Sequence, residues 1–303
     1  MNDLLGDYFK IKEKSFDLTL DPTKITIIRL DGIRFHNFTK PFYYPYDPFL
    51  RYSLEFSLLK VLCSEFKGYV SHVYFQSDEA SIIIPPVELP NQLPFSGRIN
   101  KVISILLQWN LYFYKELQTL LDKAFNSVNF NYPNDLNESM KQFIRKIEVL
   151  SKKKTLEEFD KYFESEYWYQ LDEFLNEKQN YPAFDCRIFQ VETKEDVIRY
   201  LTWRRVDAIR NFKNSLGFCF YSPKQLKGMS AEEIKRKVEI EYDIKYKELP
   251  KIIKRGSLYQ FQKYQNWIEH GFEENDKDSN DFQKNIIMHI QNWNELFIMG
   301  IEK

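Results

Sequence analysis

The sequence predicts an α+β fold whose first and third parts together read strand, helix, strand, strand, helix, strand. Three observations carry this. Short runs rich in Ile, Val, Tyr and Phe end abruptly in turn formers, at Asp31-Gly32 and at Ser77-Asp78-Glu79. Between them, Phe49 to Leu62 places apolar residues at helical spacing over a broad face. A further run, Phe-Asp-Cys-Arg-Ile-Phe-Gln-Val over 184–191, is followed at once by a helix-start signal at Thr193-Lys-Glu-Asp196.

The elements follow in order. Residues 24–30 alternate as a strand that Asp31-Gly32 ends. Residues 47–66 form a helix, capped by Asp47 with Pro48 in its first position and closed by Gly68. Residues 69–76 and 80–84 are two strands across a tight turn, and Pro85-Pro86 stops the second. Residues 97–117 return to helix, 184–191 to strand, and the helix opened by Thr193 runs to about Asn214. With the stretch 118–182 set aside, this is the βαββαβ order of ferredoxin-like folds. Polymerase palm domains share that order, with metal-binding acids at the end of the first strand and in the central hairpin. The order by itself does not fix an activity.

The palm-like unit therefore comprises 1–117 and 183–220. The stretch 118–182 is a helical insertion, with Phe143, Ile147 and Leu150 and then Phe159, Phe163 and Tyr167 at helical spacing. It is expected to be a separable elaboration. Its Lys152-Lys153-Lys154 run reads as a solvated face. The C-terminal region, 221–303, reads as mainly helical. Ser230-Ala-Glu-Glu233 is a capping box, Leu249-Pro250 and Lys254-Arg255-Gly256 mark turns, 274–281 reads as a loop, and Ile286 to Met299 is apolar enough to dock.

Composition narrows the class. The 303 residues are 43% hydrophobic and 29% charged, a globular balance rather than a disordered one. With 43 basic and 44 acidic side chains, net charge gives no sign of a nucleic-acid partner, which would need a local basic face. Cys63, Cys186 and Cys219 form no C-x-x-C pair. His36, His72, His270 and His289 lack zinc-site spacing. No apolar run reaches the length of a membrane span, and the N-terminus lacks the pattern of a secretory signal. The expected location is cytoplasmic.

The two strand-end acidic spots carry the chemistry. Asp31 and Asp78, with Glu79 beside the latter, are carboxylates at neighbouring strand ends. Magnesium is commonly held by one or two carboxylates plus substrate phosphates. Two such ions can clamp the attacking and leaving oxygens of a phosphoryl transfer. An aspartate at a strand end can equally be a plain turn former or helix cap. It is their occurrence on successive strands of one unit that favours a nucleotidyl-transfer site.

A longer series of motifs is ordered along the chain. It comprises Leu5-Gly6-Asp7, Arg29-Leu30-Asp31-Gly32 with Phe35-His36 and Phe38, and Gln76-Ser77-Asp78-Glu79. Arg98 with Lys101 and Phe184-Asp185-Cys186-Arg187 come next. Trp203-Arg204 with Asp207, Arg210 and Asn211, then Lys227-Gly228-Met229-Ser230-Ala231-Glu232-Glu233, Leu249-Pro250 and Lys254-Arg255-Gly256 complete it. In these motifs the chain resembles the tRNA-His guanylyltransferase-like family of 3′–5′ polymerases, over roughly 1–113 and 183–258. The resemblance implies that Asp31 and Asp78 hold two Mg²⁺ per active site, with the Gly32 carbonyl as a further ligand and Glu79 assisting. It implies that the backbone of Gly32, Ile33, Arg34, Phe35 and His36 passes along the triphosphate of GTP or ATP, with Ser77 near the nucleotide. Arg98 and Lys101 are expected to face phosphates, and Arg187, Arg204, Arg210 and Asn211 to face RNA. A homodimer or homotetramer is implied too.

The chain departs from the family pattern at Cys186, where Gly is usual, and at Tyr44, where Lys is expected and Lys40 lies nearby. The eukaryotic His-Ile-Asn-Asn-Leu-Tyr run is absent. Asp207-Ala208-Ile209-Arg210-Asn211 resembles the bacterial, archaeal and viral-type members instead, which resemble repair enzymes. The reading is thus a Mg²⁺-dependent nucleotidyltransferase adding nucleotides 3′–5′ to truncated tRNA or other structured RNA 5′ ends under template control. The alternatives are a tRNA-His guanylyltransferase proper, a palm-type nucleotide cyclase or oligonucleotide synthetase without RNA primer, and a non-enzymatic RNA-binding palm.

Overall fold

The computed structural model describes residues 4–126, 138–152, 166–177, 181–261 and 267–270. Strand β1, Ile25–Gly32, is the axis of the fold. Ile25, Ile27, Ile28 and Leu30 are all buried, so both faces of the strand are covered, as a continuous apolar run requires. After the exposed helix α1 (Leu4–Lys14), the chain passes through β1 and the single turn α2 (Phe35–Phe38) into α3 (Pro48–Glu65). The Asp47 side chain caps α3 by accepting from the Leu50 amide at 2.9 Å. Gly68 beyond its end has φ +80.

Strands β2 (His72–Gln76) and β3 (Glu79–Ile84) form a hairpin whose last pair is Gln76↔Glu79. The loop is thus two residues, Ser77 and Asp78. Ser77 adopts φ +52, the left-handed backbone that so short a hairpin loop demands. The expected single helix over 97–117 is instead two, α4 (Ile99–Leu106) and α5 (Trp109–Asn126). The break lets Trp109 turn inward. Its Nε1 donates to Leu54 O at 3.1 Å and Ser57 Oγ at 2.9 Å, and its ring stacks on Phe184.

Strand β4 (Phe184–Val191) pairs with β1 from Ile25↔Val191 to Gly32↔Phe184. The first four strands stand in the order β4-β1-β3-β2, all antiparallel, which is the ferredoxin-like arrangement. The C-terminal region differs from the mainly helical expectation. After α8 (Lys194–Phe218), α9 (Pro223–Leu226), α10 (Ala231–Tyr242) and α11 (Lys251–Arg255), it adds β5 (Ser257–Phe261) and β6 (Trp267–His270). These extend the sheet beyond β2. The sequence signal was weak because β5 is only five residues long and follows a helix directly.

Helices α3 and α5 cover one face of the sheet, and the first part of α8 covers the other. Val197 and Leu201 pack there on Ile25, Ile27, Ile83 and Leu258. Insertion helices α6 (Glu138–Lys152) and α7 (Tyr167–Asn176) do not stand apart. Phe143, Ile147, Tyr167, Trp168 and Leu171 are buried in the same core as Phe49 and Trp109. The sequence could not show this, because a helix stripe does not reveal which surface it will meet. Lys153, Lys154, Phe159, Phe163 and residues 274–281 and 286–299 lie outside the described residues.

Gly256, between α11 and β5, has φ 75 and ψ −174. A methyl group there would stand 2.1 Å from Phe75 O. Neither the backbone angle nor the space admits a side chain. Gly256→Ala is expected to lower the unfolding free energy by about 3 kcal/mol. Urea titration measures this, and a loss under about 0.5 kcal/mol would mean that β5 is not seated as described.

Candidate active site

The strand register builds the site. Asp31 opposes Glu79 on β3 and Asp185 on β4. Directly opposed residues project to the same face of a sheet. Asp185, Asp31 and Glu79 therefore form a row of carboxylates across three strands, on the face that α8 covers. Asp185 stands in the Phe184–Arg187 motif, to which the sequence assigns no acidic site role. The signal that could have found it is the acid at the start of β4, meaningful only once β4 is known to pair with β1. One Asp185 oxygen accepts from Arg187 Nη2 at 3.0 Å. The other is buried with no hydrogen-bond partner among the described residues.

Asp78 comes in from the hairpin loop, on the side of β1 toward which Gly32 would project. Its carboxylate lies over the end of β1, so close that a methyl built on Gly32 would be 2.5 Å from Asp78 Oδ2 and 2.7 Å from Phe35 Cβ. Glycine is required there for lack of space. Burial pushes the Asp78 carboxyl up to about 6, and the Asp31 charge adds to the effect; the Asp78 amide and the Ser77 hydroxyl oppose it. Ser77 is thereby a turn residue that also helps to hold Asp78. Two carboxylates whose charges repel across Gly32 form a cradle that a divalent cation would neutralise.

Glu79 is placed differently. Both its oxygens accept from Arg204, Oε1 from Nε at 2.7 Å and Oε2 from Nη2 at 2.6 Å. Burial raises its pKa, while Arg204 and the charge of Arg29 pull it down; the net shift is upward. Arg204 Nη2 also reaches Asp207 Oδ2 at 3.2 Å, and Asp207 in turn receives Arg210 and Asn211. This corrects the RNA-facing expectation for Arg204, which is buried and turned inward by the partner that the register supplies. Arg187 and Arg210 are exposed and hold Asp185 and Asp207, and Asn211 is exposed beside them.

The segment after β1 is anchored by Phe35, which packs with Phe38, Phe113 and Phe184. Of the expected nucleotide-binding residues, Ile33, Arg34 and His36 are exposed, whereas the Phe35 side chain belongs to the core. Arg34 has φ +53 at the start of α2. The Ile33 amide is already donated to Ala183 O at 2.8 Å. Arg98 is bound to Asp17, with Nε 2.6 Å from Oδ2, and the Lys101 ammonium lies 5.8 Å from the Phe95 ring centre. Cys186, opposite Leu30, is half-buried; burial and the neighbouring Asp185 charge push its thiol up to about 12, so it is a packing group. The Tyr44 carbonyl faces the Cys219 thiol at 3.8 Å.

Among the described residues, no group of three or more His, Cys, Asp or Glu is placed to hold a metal. The Asp31–Asp78 pair with the Gly32 carbonyl still fits Mg²⁺, which takes one or two carboxylates and completes its shell with water and substrate phosphates. No helix among the described residues is long and apolar enough to cross a membrane.

The family model for tRNAHis guanylyltransferase matches residues 6–192, a span that includes β1 through β4. An uncharacterized protein of Acanthamoeba polyphaga mimivirus is 25% identical over 272 residues, covering 86% of this chain and 78% of that protein. A bacterial tRNA(His) guanylyltransferase-like protein solved in complex with ATP has a TM-score of 0.63 at 21% identity, over 97% of this chain and 99% of the other. The tRNA(His) guanylyltransferase from Saccharomyces cerevisiae gives 0.56 at 20% identity, over 86% and 94%. At these identities the structural matches speak to the fold.

The Asp78 shift has a direction that can be checked in the metal-free protein. Its folded value lies above the unfolded one, so the folded chain holds the extra proton between about 4 and about 6. The associated stability is full below the unfolded value and is lost as pH rises through about 6. Asp78→Asn should therefore stabilise the metal-free chain by about 2 kcal/mol at neutral pH, and the gain should shrink toward pH ~4. Denaturant midpoints across that range test it. A gain that grows on acidification would contradict the burial described.

Proposed function

Because the chain belongs to the tRNAHis guanylyltransferase family, whose members are nucleotidyltransferases, we propose that it adds nucleotides in the 3′–5′ direction to RNA 5′ ends, with Mg²⁺ and under template control. The observation that carries this is the Asp78 carboxylate lying against Gly32 beside Asp31. Asp31, Asp78 and the Gly32 carbonyl would hold the ions. When bound, Mg²⁺ lowers the pKa of the attacking hydroxyl and balances the leaving group's charge.

The chain's own residues set the geometry. With the Ile33 amide bound to Ala183 O, the turn from Arg34 to His36 offers backbone to triphosphate oxygens, and Phe35 fixes it to the core. Glu79 is held by the Arg204 fork. A 5′ monophosphate is first activated by adenylylation, releasing pyrophosphate. The 3′-hydroxyl of the incoming nucleotide then attacks the activated 5′ phosphorus, and AMP leaves. Rate comes from placement and charge neutralisation, as in other phosphoryl transfers. Similar bacterial proteins are solved in complex with ATP and with GTP, which supports nucleotides of both kinds as substrates here.

Template control is supported by the Asp207-Ala208-Ile209-Arg210-Asn211 pattern, which stands where the eukaryotic members carry a different run. Pairing and stacking with the opposite strand would hold the incoming nucleotide beside the 5′ phosphate. Tyr44, in place of the expected Lys, removes one cation from the segment leading into α3.

Asp31→Ala and Asp78→Ala should each lower turnover more than about 100-fold in a folded protein. Near-normal turnover in either would remove the metal assignment. On 5′-truncated tRNAs, the added nucleotide should change whenever the opposing base is changed. Sequencing of the extended ends reads this directly. Untemplated addition of a single G confined to tRNA-His would instead identify a guanylyltransferase proper.

A further inference from the structure

We infer that Arg204 is a positioning residue that holds Glu79 out of the shell of the metal ions. The inference rests on the Mg²⁺ reading above. Glu79 is the register partner of Asp31 and follows Asp78 directly. Opposed side chains start about 5 Å apart. By position alone Glu79 is thus a natural third carboxylate for any cation that Asp31 and Asp78 hold.

What prevents this is the fork on α8. Arg204 occupies both Glu79 oxygens in a bidentate pair, and both residues are buried, each 6% exposed. Charge-assisted bonds of this geometry are among the strongest available to a carboxylate. The guanidinium is itself held. Asp207 accepts from Nη2, and the Trp203 ring lies against the guanidinium carbon at 4.5 Å. A Lys at this position could offer neither the planar fork nor the stacked face. The consequence is chemical. Mg²⁺ binds at nucleotide sites with several positions left to water and phosphate oxygens. A third protein carboxylate would take one of those positions and add negative charge where the triphosphate must arrive.

The test uses Mn²⁺ as the probe in place of Mg²⁺, without nucleotide. The number of metal-bound waters is read by pulsed electron paramagnetic resonance in isotopically labelled water, with folding checked by circular dichroism. Glu79→Gln should leave the water count of the wild type unchanged. Arg204→Gln should lose one water as Glu79 swings onto the metal, with Mn²⁺ binding about tenfold tighter. The double variant Glu79→Gln with Arg204→Gln should regain that water. A gain of one water in Glu79→Gln alone would show that Glu79 is already a ligand and would overturn the inference. So would a folded Arg204→Gln with the wild-type count. If Arg204→Gln does not fold, Glu79→Gln decides by itself, and Arg204→Lys supplies the second arm with the same expected loss of water. A Mn²⁺ signal that Asp78→Asn leaves intact would instead sink the metal site itself, and with it the proposed activity.

Discussion

The constraint on which everything else depends is the pairing of β1 along its whole length, to β3 on one side and β4 on the other. Because side chains alternate along a strand, a slip of one residue in either ladder would send Asp31 to the opposite face. The register is fixed by burial. Ile28 and Leu30 fill the core on the face of α3 and α5, and Ile25 and Ile27 fill the one under α8. Apolar packing at one end of the strand thus sets carboxylate geometry at the other. The two-residue loop then delivers Asp78 over Gly32, where only a glycine leaves room.

The site's electrostatics follow from the same scaffold. Asp78 and Glu79 are adjacent in sequence and face opposite fates. Asp78 meets burial and the like charge of Asp31, with only its own amide and Ser77 to compensate. Glu79 meets the Arg204 fork. One carboxylate is left wanting a cation and the other already has one. Similar residue types are separated in role by which element packs over them.

The insertion and the C-terminal region are held by buried polar contacts as well as by apolar ones. Asp47 caps α3 with one oxygen, and with the other accepts from the Tyr43 amide and the Tyr167 hydroxyl of α7. Burial raises its pKa more than these bonds lower it. On the opposite side of α3, Glu55 accepts from Arg51, Ser257 and Tyr259, tying β5 to the helix. Each group is satisfied by a partner far along the chain, which is why neither dependence could be read locally.

What the sequence determined by itself is local and periodic. The Asp47 cap, the Thr193 cap and the strand Phe184–Val191 depend on neighbouring residues, and the structure places them as read, whereas Asp31-Gly32 and Glu79, read as turn residues, are the paired ends of β1 and β3. The acid pair was legible too, since two strand ends with carboxylates leave a mark in the chain. What only the tertiary structure decided depends on contacts between distant residues. The entry of Asp185 into the acid row needed the β1–β4 register. The inward turn of Arg204 needed Glu79, which lies far away in sequence. The break between α4 and α5 served the burial of Trp109, and β5 took its place because β2 offered an open edge. A linear pattern records what each residue prefers next to its neighbours; which surface it meets is settled by closing the core.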